Sequence, residues 1–156
     1  MKLYKEYKGL NLTQIHQEVL AYWEKHKTFE QSVELRNANE PFIFYEGPPS
    51  ANGMPGIHHV LSRTIKDLFC RYQTLKGKKV IRKAGWDTHG LPIELGVEKE
   101  LGITKEDIGK KLSIEEYNQA CRTAVMRYTD HWNELTRQMG YWVDMEDPYI
   151  TYRTKY

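Results

Sequence analysis

The chain has 156 residues, 23 of them basic and 21 acidic, for a formal net charge of +2. That length allows one domain with a real core, and so even a charge balance excludes a polybasic nucleic-acid binder as the global reading. Apolar runs are only a few residues long, as at Phe42-Ile43-Phe44-Tyr45, which excludes a transmembrane helix. The start, Met1-Lys2-Leu3-Tyr4-Lys5-Glu6, lacks the apolar region of a secretory signal. Cys70 and Cys121 form no C-x-x-C pair and fit a reduced, cytoplasmic protein.

In chain order, Leu12, Ile15, Val19, Leu20 and Trp23 share a helical stripe behind a capping-type start, Asn11 with Gln14. A helix is expected over 12–27. Residues 36–41 read as a polar linker, and Phe42 to Tyr45 as a short buried strand. The prolines and glycines of 46–55 forbid regular structure. A helix starting at Gly56 or Ile57 carries the stripe Val60, Leu61, Ile65, Leu68, Tyr72, Leu75 and stops at Gly77. Val80-Ile81 is expected to be a second strand, followed by a glycine-proline loop over 84–92. Ile93, Val97 and Leu101 suggest a short helix ended by Gly102. Ser113 and Glu116 cap one long helix reaching Met139, and Tyr141-Trp142-Val143 is expected to be a further strand. Alternating strands and helices argue for an α/β fold with a parallel sheet.

Ligands of such sheets collect at the C-terminal strand ends, opposite helix starts. His58 and His59 lie in the first turn of the helix near 57 and can donate hydrogen bonds to a phosphate oxygen. They also read as exposed polar residues at a helix start. Asp87 can pair with a ligand ammonium, or it can cap its turn or pair with Lys83 or Arg82. Lys76, Lys78, Lys79, Arg82 and Lys83 read best as the solvated flanks of a strand, with nucleic-acid contact the alternative. Tyr128 and Trp132 read as core rather than as a base-stacking platform.

Two stretches carry a resemblance. Phe44-Tyr45-Glu46-Gly47-Pro48-Pro49-Ser50-Ala51-Asn52-Gly53 and Gly85-Trp86-Asp87-Thr88-His89-Gly90-Leu91-Pro92-Ile93-Glu94, with Ile65-Lys66-Asp67 and Arg71-Tyr72 between them, resemble the N-terminal part of class I aminoacyl-tRNA synthetases. Thr88-His89 favours the isoleucyl type over the leucyl and valyl types. The resemblance covers about residues 10–150. Where the family reads H-x-G-H, this chain reads Gly56-Ile57-His58-His59; only His59 matches, and His58 is expected to supply the imidazole missing at Gly56.

The resemblance implies the first half of a Rossmann-like, parallel-sheet nucleotide-binding catalytic domain at 41–156, preceded by an N-terminal helical extension at 1–40. It implies ATP-dependent activation of isoleucine to isoleucyl-adenylate and transfer to its tRNA, without a covalent enzyme intermediate. His58 and His59 would be catalytic. Asn52, Gly53, Gly56, His58 and His59 would face ATP. Pro48, Asp87 and His89 would bind the amino acid, with Asp87 on its ammonium group. Mg²⁺ would arrive on the triphosphate, with no metal held by the protein. The chain shows neither the family's lysine-rich second motif nor an editing domain, so it is expected to be a fragment, inactive alone in isoleucine-dependent pyrophosphate exchange. A non-catalytic module binding nucleotide or a partner is the alternative reading, with a valyl or leucyl type behind it. The protein is expected in the cytoplasm, off the membrane.

Overall fold

The computed structural model describes residues 6–155; the reading of residues 1–5 as no signal lies outside that range. Helix α1 (Leu12–Lys25) begins where the sequence indicates. Asn11 Oδ1 accepts the Gln14 N–H at 3.1 Å, while the Gln14 side chain turns to Glu18 at 3.0 Å. Only half the capping box forms. The helix ends before 27 because Lys27 takes a left-handed backbone (φ 46°) that turns the chain into α2 (Thr28–Glu34). Leu12 and Val19 stay exposed, so only part of the expected stripe is covered.

Several strand boundaries differ from expectation. The presumed linker is strand β1 (Asn37–Pro41). It pairs in parallel with β2 (Lys78–Lys79). The ladder extends to Phe42, whose N–H donates to Lys79 O at 2.9 Å, and stops there. Residues 43–45 are therefore not a buried strand: Ile43 is 67% exposed and Tyr45 90%. A two-residue partner leaves them nothing to pair with. Val80 is buried as a strand residue would be, but it and exposed Ile81 fall between β2 and β3 (Lys83–Trp86).

Helix α3 (Ile57–Leu75) starts at the expected residue, yet its burial is reversed. Leu61, Ile65, Leu68, Tyr72 and Leu75 are exposed, and the buried positions are Arg63, Cys70 and Thr74. The inner face is chosen by polar pairing: Thr74 accepts from Arg82 at 2.9 Å, and Arg63 donates to Thr136 at 2.7 Å.

Helix α4 (Leu91–Leu101) buries Ile93 and Val97 and ends at Gly102 as anticipated. A 3₁₀ turn, Lys105–Asp107, leads on to α5 (Ile114–Val125). Ser113 and Glu116 cap each other there reciprocally, at 3.2 Å and 2.9 Å. The single long helix proves to be two, α5 and α6 (Thr129–Gln138). At the break the Tyr128 N–H leaves the helical ladder and donates to Ala51 O at 3.1 Å. The last strand, β4 (Asp144–Ile150), lies beyond Tyr141-Trp142-Val143. Tyr141 and Val143 are buried without belonging to a strand.

β3 and β4 pair in parallel, with Gly85 opposite Tyr149 and Trp86 opposite Ile150. The order is thus β1–α3–β2, then β3–helices–β4, each a strand–helix–strand crossover of parallel type. This is the expected α/β class. The core cluster is Ala51, Trp86, Trp132 and Ile150. It joins the first loop, the end of β3, α6 and β4, so the packing that stabilises the domain also fixes its loops.

Candidate active site

The loop 42–56 and the loop after β3 are joined backbone to backbone: the Asp87 N–H donates to Pro49 O at 2.9 Å. Gly85 is pressed between Pro48 and β4. A Cβ there would lie 3.2 Å from Pro48 Cβ and 3.0 Å from Tyr149 O, so glycine is what permits the approach. Pro49 also lines a cavity of about 300 Å³, whose wall includes Asn52, Gly53, His59, Arg63, Lys66 and Trp132. Asp87 is therefore one hydrogen bond away from a residue that shares a cavity wall with His59.

His59 is held in one tautomer. The Gly56 N–H donates to its Nδ1 at 2.9 Å, so in the neutral ring the proton sits on Nε2 as a donor. Desolvation lowers its pKa from the usual histidine value, and the neighbouring His58 and Arg63 add to the shift. At neutral pH His59 is an uncharged donor. Its ring stands edge-on to Trp132, centroids 4.7 Å apart.

The unusual order of the histidines has a steric counterpart. A Cβ at position 56 would lie 2.9 Å from His58 Cε1, so the His58 imidazole occupies the space that a side chain at 56 would enter. The His58 and His59 ring centroids are 3.8 Å apart. Asn52 Oδ1 accepts from Ser50 Oγ at 2.9 Å, which leaves its amide N–H groups for the cavity.

Asp87 is exposed. Its Oδ1 lies 3.4 Å from the His89 N–H, a long turn-type contact. The alternative ion pairs with Lys83 and Arg82 do not form: Lys83 pairs with Asp147 at 2.7 Å and Arg82 with Asp67 at 3.1 Å. His89 is placed differently from the other site residues. Its Nδ1 is 2.9 Å from Thr151 Oγ1, and it lines a separate cavity of about 250 Å³ between the loop and α5.

Sequence reasoning missed three residues of the cleft beside His59. Trp132 is core, as read, and also cleft wall; its Nε1–H donates to Gly53 O at 2.9 Å. Arg63 and Lys66 line the same cavity. Lys66 pairs with Glu46, and Glu46 accepts from Tyr141 OH at 2.6 Å. Only their spacing could have flagged them, since 59, 63 and 66 share one helix face. The basic run is also corrected at one position: Arg82 is 2% exposed and is no solvated flank.

A family profile described as tRNA synthetases class I (I, L, M and V) matches residues 18–156. The isoleucine–tRNA ligase of Porphyromonas gingivalis is 64% identical over 153 residues, which are 98% of this chain and 14% of that protein. That of Bacteroides thetaiotaomicron is 61% identical over 155 residues, 99% of this chain and 13% of the relative. Among solved structures, the ternary complex of Agrobacterium radiobacter K84 LeuRS with tRNA and LeuAMS aligns with a TM-score of 0.61 at 20% identity, covering 90% of this chain and 16% of that one. At that identity the likeness concerns the fold. The chain thus spans 13–14% of the length of these two ligases.

Proposed function

The chain belongs to the class I tRNA synthetases, and from that premise we propose that its cleft binds ATP and isoleucine for the formation of isoleucyl-adenylate. In the reaction, an isoleucine carboxylate oxygen bonds to the α-phosphorus of ATP. The bond from that phosphorus to the bridging oxygen breaks, and pyrophosphate leaves. No protein nucleophile is required, so the chain's task is positioning and charge stabilisation.

Asp87, without an ion-pair partner among the described residues, takes the ammonium group of isoleucine. Pro48, packed on Gly85, forms one wall of the amino-acid pocket. His89, on the far side of Asp87, steadies the turn through Thr151 and reaches the amino acid only from its edge. His59 donates from Nε2 to a phosphate oxygen, and His58 donates from the space beside Gly56. Asn52, Gly53 and Gly56 face the nucleotide. Residues 1–40 serve as an extension and 41–156 as the catalytic half-domain.

Mg²⁺ enters on the triphosphate of the nucleotide. The adenylate then passes its acyl group to the isoleucine tRNA. The relatives' names support tRNA as partner. Two free cysteines support a cytoplasmic setting, and no described helix is long and apolar enough to cross a membrane.

The observation that supports this reading is the hydrogen bond from the Asp87 backbone N–H to Pro49 O, which joins Asp87 to a residue lining the cleft that contains His59. The test is calorimetric titration of the chain with a non-hydrolysable isoleucyl-adenylate analogue. Binding that Asp87→Asn and His59→Gln each weaken is expected. Binding indifferent to both substitutions refutes the assignment.

A further inference from the structure

Arg63 follows His59 by one helical turn on α3 and is 8% exposed. Burial of a cation normally demands a counter-ion, yet among the described residues no carboxylate forms an ion pair with it. One hydrogen bond holds it, Nη1 to Thr136 Oγ1 at 2.7 Å. Thr136 in turn donates to Trp132 O at 2.7 Å. Two aromatic faces supply the remaining support, with the guanidinium carbon 4.9 Å from the Trp132 ring centre and 5.5 Å from that of Tyr141.

Arg82, the other buried arginine, shows how the chain satisfies such a group for structure alone. Its guanidinium meets the Asp67 carboxylate at 3.1 Å, Thr74 Oγ1 at 2.9 Å and Trp142 O at 3.2 Å. The Nε of Arg82 is the one sealed and unpartnered side-chain N or O among the described residues. The remaining N–H groups of Arg63 are therefore not sealed, and Arg63 forms part of the wall of the 300 Å³ cleft beside His59 and Lys66. Lys66 is already neutralised by Glu46. Arg63 is thus the fixed positive charge of that wall that no anion of the chain compensates at contact distance.

We propose that Arg63 binds a phosphate oxygen of the nucleotide from inside the cleft, supplying a permanent positive charge beside the His59 donor. This rests on the reading of the cleft as an ATP site. The division of labour is physical: His59 provides a directed dipole, whereas the guanidinium, on a largely buried side chain, provides a full charge. Thr136, Trp132 and Tyr141 hold the guanidinium in place before the nucleotide arrives, so little reorganisation accompanies binding.

The experiment is titration of the chain with Mg·ATP, magnesium pyrophosphate and adenosine, in the native sequence and in Arg63→Met, Arg63→Lys and His59→Ala. Loss of one charge-assisted contact predicts about ten- to a hundredfold weaker ATP and pyrophosphate binding in Arg63→Met. Adenosine binding should be unchanged, and Arg63→Lys should recover part of the loss. ATP affinity that survives Arg63→Met but falls in His59→Ala overturns the role of Arg63 and leaves the cleft reading standing. Failure of the native chain to bind ATP overturns both. If Arg63→Met does not fold, the Arg63 Nε–H resonance of the native chain decides: it should shift on saturation with pyrophosphate, and a static signal overturns the proposal.

Discussion

His59 shows how much a single side chain can owe to its own helix start. The Gly56 N–H bond to Nδ1 exists only while that nitrogen is unprotonated. Burial and neighbouring positive charge push the same way, lowering the pKa. A lowered pKa means that the folded chain binds the proton less readily than the unfolded one. The resulting stability is complete above the ordinary histidine range and is lost as pH falls from that range through the lowered value. Melting temperature should therefore drop on acidification from pH 7 to pH 5. His59→Gln should flatten that drop, and identical pH profiles for the two proteins would contradict it. Gly85 makes the second case. With a Cβ brought within 3.0 Å of Tyr149 O and 3.2 Å of Pro48 Cβ, Gly85→Ala should destabilise by about 1–3 kcal/mol, read as a lower denaturant midpoint. Isoleucine affinity should fall with it, since Pro48 must move.

The break between α5 and α6 is the element that clamps the loop 42–56. Tyr128 N–H holds Ala51 O at 3.1 Å, and one turn later Trp132 Nε1–H holds Gly53 O at 2.9 Å. Trp132→Phe keeps most of the packing and removes the second clamp, leaving the carbonyl without its donor. A stability loss of about 1–3 kcal/mol is expected, together with weaker nucleotide binding and unchanged isoleucine binding. Equal loss of both ligands would instead mean general loosening. At the other end of the chain, α1 has no buried residue. It is pinned by Arg71, whose guanidinium carbon lies 4.8 Å from the Trp23 ring centre and 3.9 Å from that of Trp142, while Nη2 donates to Gly140 O. Arg71→Met should raise amide hydrogen exchange in α1 while leaving α5 protected.

Such elements also show what a reader of the sequence can and cannot see. The starts of α1, α3 and α5 were legible because they are marked by local chemistry: Asn11, Gly56 and Ser113 each stand where a helix begins, whereas the starts at Lys27 and Tyr128 carry no side-chain cap and gave no signal. Strand positions were not, because pairing is decided by distant residues; Asn37–Pro41 is polar and still pairs, whereas the apolar stretch after it keeps the ladder only to Phe42 and leaves Ile43 to Tyr45 outside it. The inward face of α3 was misjudged for a similar reason. Its apolar stripe is exposed, and the face turned inward is polar, drawn there by Thr136 and Arg82 across the fold.

For the molecule as a whole, the two parallel strand pairs bring two separated loops to one place. The core under them, Ala51, Trp86, Trp132 and Ile150, draws one residue from each of four elements or loops. Cavity-forming changes there should unfasten both loops together. Candidate residues on the nucleotide side, Asn52, Gly53 and His59, fall on one cavity wall, and the amino-acid side meets it at Pro49 and Asp87. His89 lies beyond, facing α5. The most direct measurement is competition: the isoleucyl-adenylate analogue is titrated into the chain preloaded with labelled ATP and, separately, with labelled isoleucine. One cleft serving both loops predicts that it displaces each label with the same inhibition constant and unit stoichiometry. Displacement of one label with retention of the other would place the two loops at separate sites and contradict the shared cleft.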